Sequence, residues 1–232
     1  MDQGYDLQHY EKWQHIAGID EVGVTAIAGP IVAACVVMPK LPTPLPSILA
    51  QVNDCKKVSD SALNKLSLAI LSFVSAYGIG TTSVSEINLL GTVNSVDLAM
   101  RRAYKNCLLR YPRVPIRHCL IDGERELNFD CPYTLVPKGD TKSFAIAAAS
   151  IVAKDKRDRL MKIIGQQWSA YDLHSNKGYA SEAHLHGLDL EGLVPELHRT
   201  CLSPIRPRKW DKETLTARRK LWLEKTMAKM LG

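Results

Sequence analysis

A mixed α/β or α+β sheet domain with a helical C-terminal part is the fold class that this sequence predicts. Three observations lead there. The runs 16-IAGI-19, 31-IVAACVVM-38 and 117-RHCLID-122 are apolar, rich in β-branched and small residues, and bounded by Gly or Pro, as buried strands are. Amphipathic helical patterns alternate with further strand-like runs after the first two, which is the order of a sheet covered by helices. No internal repeat is present, so a solenoid or propeller is excluded.

Residues 1–15 read as a short lead-in. Strands follow near 16–20 and 30–38, joined through a glycine-containing hinge, and then a Pro-rich connection, 39-PKLPTPLP-46. Ser59 caps a helix whose Leu63, Leu66, Ile70, Phe73, Val74 and Tyr77 share one face, with Gly78 ending it. A short strand, 79-IGTTSV-84, precedes a second amphipathic helix over 93–109, with Val96, Met100, Tyr104 and Cys107 on one side. The strand 117–122 ends at Asp122 before Gly123. A polar loop leads to 133-YTLVPKGD-140, an edge strand by virtue of Pro137. A helix of about twenty residues is expected from Thr141 on the strength of its apolar periodicity. Residues 171–184 form a loop entering a helix, and 203-SPIRPR-208 links to a terminal helix over 207–232. In that last helix Leu223, Met227, Met230 and Leu231 can pack back on the body.

The chain has 232 residues, enough for one sizeable domain with a small appendage. Its longest apolar stretch, 144-FAIAAASIVA-153, is too short to cross a bilayer. The first fifteen residues lack a basic region followed by an apolar one, so no secretion signal, no membrane and a cytoplasmic setting are expected. The six cysteines stand singly, with no C-x-x-C pair, which argues against a zinc ribbon or a disulfide framework. The formal net charge is +6, and residues 206–232 hold nine Lys/Arg against three acids, an excess equal to that of the whole chain. A basic flank on a balanced body fits an anionic partner, nucleic acid first, and equally a solvated helix face.

Acidic residues recur at one kind of position. Asp20 and Glu21 end a strand, Asp122 ends another, and Asp140 stands between a strand and a helix. An acidic pair after a strand also starts ordinary turns, and those two residues alone do not separate the readings. If the two strands are neighbours, however, four carboxylates meet in one crevice and repel unless divalent cations hold them ionised. Hard oxygen ligands with open positions suit Mg²⁺ or Mn²⁺. Two such ions about 3.5–4 Å apart serve phosphodiester hydrolysis. Successive strand residues point to opposite faces. Either the strand breaks at Asp20–Glu21, helped by Gly23, or one of the pair contributes its backbone carbonyl.

The ordered set 18-GIDEVG-23, 28-AGPIVAA-34, 54-DCKKVS-59, 98-LAMRRA-103, 121-IDG-123, 138-KGD-140, 147-AAASIVAKDKRDR-159, 177-KGY-179 and 198-HR-199 resembles ribonuclease HII. The resemblance implies a ribonuclease-H-like fold over 16–206, with a mixed five-stranded sheet flanked by helices and a C-terminal helical portion. It implies a two-metal endonuclease, with two Mg²⁺ or Mn²⁺ ions per active site. Such an enzyme cuts the RNA strand of RNA–DNA hybrids, or DNA at embedded ribonucleotides, and leaves a 3′-hydroxyl and a 5′-phosphate. The family's metal-binding carboxylates fall on Asp20, Glu21, Asp122 and Asp140. Its phosphate contacts fall on Lys56, next to Cys55 where the family has serine, and on Ser150 and Lys154, which share a helix face. Tyr179 matches the tyrosine that packs on the sugar beside the scissile ribonucleotide. His184, His186 and His198 together suggest a metal site, but His184 and His186, two apart on a helix, diverge, so zinc is not expected, and His184 reads as a helix-packing or phosphate-side residue.

The sequence leaves the family pattern at its recognition loop. Ribonuclease HII continues its Asp-Glu pair with Gly-Arg-Gly, whose backbone approaches the ribonucleotide; here Gly23 is followed by Val24 and Thr25. The arginine's charge is gone, and a β-branched residue replaces a glycine. Cys201 and Leu202 likewise replace a serine–phenylalanine pair. The expectation is a working monomeric nuclease with weakened or shifted preference for the ribonucleotide junction. The alternative is a hybrid-binding protein of the same fold with weakened catalysis.

Overall fold

A computed structural model describes residues 4–13, 15–40, 42, 44–52 and 59–205. Lys56, Cys55 and the basic segment 206–232 lie outside them. The described chain divides into two compact units. The first holds the residues up to Val24, Pro30–Thr82 and Thr92–Asp158; the second holds Thr25–Gly29, Ser83–Gly91 and the residues from Arg159 onward.

The first unit is built on a five-stranded sheet. Its strands are β1 (Ile16–Val22), β2 (Ile31–Met38), β3 (Ala76–Thr82), β4 (His118–Asp122) and β5 (Tyr133–Val136), in the order β3-β2-β1-β4-β5. β1 pairs antiparallel with β2 from Ile16↔Met38 to Val22↔Val32, and β2 pairs antiparallel with β3. β4 lies parallel to β1, from Ile16↔His118 to Ile19↔Ile121, and parallel to β5. This is the mixed sheet that the sequence led us to expect. The helices are α1 (Gly4–Lys12), α2 (Ser47–Ala50), α3 (Asp60–Phe73), α4 (Val84–Arg110), α5 (Phe144–Gln167), α6 (Leu173–Asn176) and α7 (Glu182–Glu191).

Small residues decide how closely helices lie on the sheet. One face carries Gly18, Ala34, Val36 and Met38, and is covered by α3 and the Phe144–Ala153 part of α5. A Cβ at Gly18 would stand 2.1 Å from the Ala145 carbonyl, so the helix rests directly on the strand backbone. The run Phe144–Ala149 is buried throughout, so this apolar stretch is a core helix against the sheet. Asp6 of α1 is buried and accepts a hydrogen bond from the Ala145 N–H (3.0 Å), where a carboxylate complements a helix N-terminus. Trp13, just after α1, stacks on His118 of β4.

On the opposite face, α4 crosses β3. Cβ atoms at Gly78 and Gly80 would stand 2.2 Å from the Ala103 oxygen and 2.0 Å from the Ala99 oxygen. Gly78 is therefore not the end of α3 but a strand residue flattened for a helix to pass. α3 stops at Phe73, and Val74 is already extended. The periodicity of Val74 and Tyr77 continued a helical pattern that tertiary packing ended early. At the sheet border, Arg102 Nη1 donates to the Thr81 oxygen and Asn106 Nδ2 to the Ile79 oxygen, each at 2.8 Å.

α4 starts nine residues before the expected Val93. Gly91 interrupts it with φ of 76°, where the chain passes from the second unit to the first. β5 ends at Val136 rather than Asp140, because Lys138 takes a left-handed conformation (φ 54°) and opens a 3₁₀ turn over Gly139–Thr141. Cys35, Cys107, Cys119 and Cys131 are buried free thiols, as small core residues are.

The second unit packs Ile27, Ala28, Met161, Tyr171, Leu173, Leu188, Leu197 and Ile205 into its own core. Ser181 caps α7 by accepting from the His184 N–H. Gly178 (φ 86°) brings the backbone against Ala28, and its carbonyl accepts from the N–H groups of Ile27 (2.9 Å) and Ala28 (3.1 Å). Among the described residues, no helix is long and apolar enough to cross a membrane.

Candidate active site

The parallel ladder between β1 and β4 stops at Ile19↔Ile121, one residue short of an acidic residue on each strand. Asp20 and Asp122 thus emerge side by side from neighbouring strand ends. β1 does not break at the acidic pair; pairing with β2 continues through Asp20↔Ala34, Glu21↔Ala33 and Val22↔Val32. The break falls at Gly23, with φ of 87°. Asp20 stays on the face of Gly18 and α5, while strand alternation turns Glu21 to the other face. Beyond Ile19 the β4 side of β1 has no ladder partner, and there the charges of Glu21 and Asp122 still act on each other.

Asp20 is 5% exposed. Its Oδ1 accepts from the Glu21 N–H at 2.8 Å, and its carboxylate accepts from the Ser150 hydroxyl of α5. Burial, then the charges of Glu21 and Asp122, push its pKa well above the usual carboxylate range against those two hydrogen bonds. Burial and the Asp122 charge push Glu21 up to about 7. Its Oε2 is buried with no hydrogen-bond partner. Asp122 is raised by burial and by Asp140, and is held back by the N–H of Gly139, which donates to its Oδ1. A Cβ at Gly139 would stand 3.2 Å from that same oxygen and 2.5 Å from Ile146 Cδ1. Glycine there lets the turn deliver an amide to one carboxylate and Asp140 beside it.

The carboxylates meet as interacting neighbours. Among the described residues, no three His, Cys, Asp or Glu side chains close around a point as a finished metal cage. The chemistry of the donor set nevertheless fits a hard divalent cation. Asp20, Glu21 and Asp122 are neighbouring oxygen donors, each resisting ionisation first because of burial and then because of a nearby carboxylate, and one buried oxygen has no partner.

The remaining residues singled out from the sequence are spread over both units. Ser150 touches Asp20 rather than open solvent alone. Lys154 is 44% exposed in its side chain, and its Nζ pairs with Asp158 Oδ2 at 2.9 Å. Gly23 is buried and Val24 half-buried in the first unit; Thr25 and Tyr179 are exposed in the second.

Sequence reasoning did not single out Arg157, which is fully buried and donates from Nε to the Pro30 oxygen at 3.0 Å. A Cβ on Gly23 would stand 2.1 Å from that Nε. The glycine that follows β1 is thus seated on a buried guanidinium stem, which no local pattern reveals. Gly23→Ala is expected to cost about 3 kcal/mol, from a left-handed conformation plus overpacking. Gly91→Ala has a similar φ of 76° and nothing within 4 Å, so it should cost about 1 kcal/mol. Urea unfolding of both variants checks this, and equal losses would remove Arg157 from the explanation.

Several known proteins resemble this chain. The family model for ribonuclease HII matches residues 17–202. A ribonuclease HII of Staphylococcus carnosus is 39% identical over 191 residues, covering 82% of this chain and 69% of that protein. The crystal structure of ribonuclease H2 from Pyrococcus horikoshii OT3 superposes with a TM-score of 0.63 at 20% identity, over 89% of this chain and 99% of that one. The structure of Bst-RNase HIII in complex with Mn²⁺ gives a TM-score of 0.63 at 16% identity, over 88% and 69% of the two chains. The two structures are similar in fold.

Proposed function

The chain belongs to the ribonuclease HII family, and from that membership we propose that Asp20, Glu21, Asp122 and Asp140 hold two Mg²⁺ or Mn²⁺ ions for cleavage of RNA in RNA–DNA hybrids. The observation that carries this reading is the adjacency of the acidic ends of β1 and β4. Divalent cations held by these carboxylates would supply an activated water and a counter-charge for the leaving oxygen of the phosphodiester, with a 3′-hydroxyl and a 5′-phosphate as the product ends. The Mn²⁺ complex of a protein with the same fold supports the choice of ion.

The protein's own groups do the holding. Ser150 orients Asp20 through its hydroxyl, and the Gly139 amide orients Asp122. Glu21, pushed up to about 7, is only partly ionised near neutral pH until a cation balances it. Lys154 and Lys56 are assigned to substrate phosphates, Lys154 sharing its charge with Asp158. Gly23, Val24 and Thr25 are assigned to the ribonucleotide, and Tyr179 to its sugar. A cytoplasmic monomer acting on hybrid, or on DNA that contains ribonucleotides, completes the reading.

Val24 brings no cation to the phosphate, and Thr25 restricts a backbone that glycine leaves free. A long RNA–DNA hybrid should therefore be cut at least about tenfold faster than a duplex with a single ribonucleotide, a difference of about 1.4 kcal/mol in the barrier. All-DNA duplex should remain intact. The assay uses labelled duplexes in Mg²⁺ and in Mn²⁺, with Asp122→Asn as the blank. Equal rates on the first two would sink the shifted preference. Binding without cleavage would select the alternative, a hybrid-binding protein, which the altered loop favours.

A further inference from the structure

Two imidazoles of the second unit, His184 of α7 and His198, are both fully buried and face each other, Nε2 to Nε2, at 3.2 Å. The outer nitrogen of His184 fixes where the protons are. His184 Nδ1 lies 2.9 Å from the Tyr179 carbonyl oxygen, an acceptor only, so Nδ1 carries the hydrogen and Nε2 of the neutral ring is bare. His198 must then donate from Nε2, which leaves its Nδ1 bare. That nitrogen accepts from the Val194 N–H at 3.0 Å; the Val194 carbonyl oxygen, 3.2 Å from it, receives no hydrogen in this arrangement. Burial lowers the pKa of both rings, that of His198 to about 4, so neither is charged near pH 7. The hydrogen bonds run one way, from the Val194 amide through two neutral rings to the carbonyl of Tyr179. Tyr171 walls the pair in, its ring 4.7 Å from that of His198.

The backbone around the pair closes a circuit. His198 bridges Ala28, the Arg199 N–H donates to the Ile27 oxygen (2.8 Å), and the Gly29 N–H donates to the Leu197 oxygen (2.9 Å). The Ile27 and Ala28 amides in turn hold the Gly178 carbonyl, next to Tyr179. Ile27–Gly29 and Gly178–Tyr179 therefore belong to one hydrogen-bonded assembly around the histidine pair.

We propose that His184 and His198 are positioning residues for Tyr179, fixing its backbone through a directed pair of neutral imidazoles so that its ring is presented to the substrate sugar. The proposal rests on the reading of Tyr179 as the sugar contact.

The directionality makes the test. Asparagine at 184 keeps a donor where Nδ1 stands, toward Tyr179. Glutamine keeps only the far end, toward His198, at comparable polarity. His184→Gln is expected to lower kcat/KM on RNA–DNA hybrid at least tenfold, and His184→Asn to hold within threefold of the parent. Tyr179→Ala alone should lower kcat/KM by a similar factor, and adding His184→Gln to it should cost nothing more. Thermal unfolding of each variant verifies that it is folded. Equal losses for Asn and Gln, or losses that multiply in the double variant, would overturn the proposal. Full activity of Tyr179→Ala would sink the sugar reading, and the proposal with it. A Tyr179→Ala loss without any His184→Gln loss would sink the positioning alone.

Discussion

Asp20→Asn is expected to lower cleavage by at least about 10³-fold, and at the same time to raise the melting temperature of the chelated protein at pH 8. The loss is what removing one charged oxygen ligand from a metal-centred hydrolytic site costs, roughly 4 kcal/mol or more in the barrier. The gain follows from the repulsion within the cluster. Glu21 is raised from 4.5 to about 7 in the folded protein, so its contribution favours folding below pH 4.5 and is lost as pH rises through 7. By linkage, that group alone disfavours the ion-free fold at pH 8 by about 3 kcal/mol relative to pH 4. Burial and the Glu21 charge likewise raise Asp20, and neutralising Asp20 removes that cost. A bound divalent cation offsets the same repulsion, so Mn²⁺ should stabilise the parent protein more at pH 8 than at pH 5. It should stabilise Asp20→Asn far less. Thermal melts with and without Mn²⁺ at both pH values, beside the cleavage assay, read all of this. A destabilised Asp20→Asn would mean that the carboxylate holds the fold and is not a strained ligand.

Gly18→Ala should prevent folding at 37 °C, or cost more than about 4 kcal/mol where protein can be recovered. The added methyl would stand 2.1 Å from both the carbonyl carbon and the oxygen of Ala145, which are helix backbone and cannot turn aside. α5 would have to lift from β1, and with it Ser150, whose hydroxyl meets Asp20 two residues along the strand. The change is thus expected to damage both core and site. Urea unfolding monitored by circular dichroism measures the loss. A Gly18→Ala protein within 1 kcal/mol of the parent would show that helix and strand are not in direct contact.

The parts of this molecule that were legible in the sequence are those dictated by short-range chemistry. β1, β2 and β4 announce themselves as buried apolar runs, and the acidic residues at their ends stand out because carboxylates there need a reason. The family relation carried by the ordered motifs is borne out by the family model and by relatives at 39% identity. Contacts between distant segments were not legible. Gly78 looked like a helix stop because its true constraint, the Ala103 carbonyl, lies twenty-five residues away. Arg157 sits among lysines and aspartates on a helix and gives no sign that it is wholly buried. His184 was read as a helix-packing or phosphate-side residue, and His198, fourteen residues on, was weighed beside it only as a metal ligand, so their direct pairing went unseen. Gly139 escaped notice because an amide donor has no side chain to read.

The border of the sheet at β3 bears on how this protein behaves in a crowd. An open strand edge is a template on which a neighbouring molecule can lay a strand of its own. Here the outward carbonyls of Ile79 and Thr81 are already occupied by Asn106 and Arg102, side chains four apart on α4. The helix that covers the sheet's face therefore also closes its margin, with a fixed positive charge placed where a second chain would have to dock. Stacking edge to edge, the first step toward cross-β association, meets both missing acceptors and like-charge repulsion at that border.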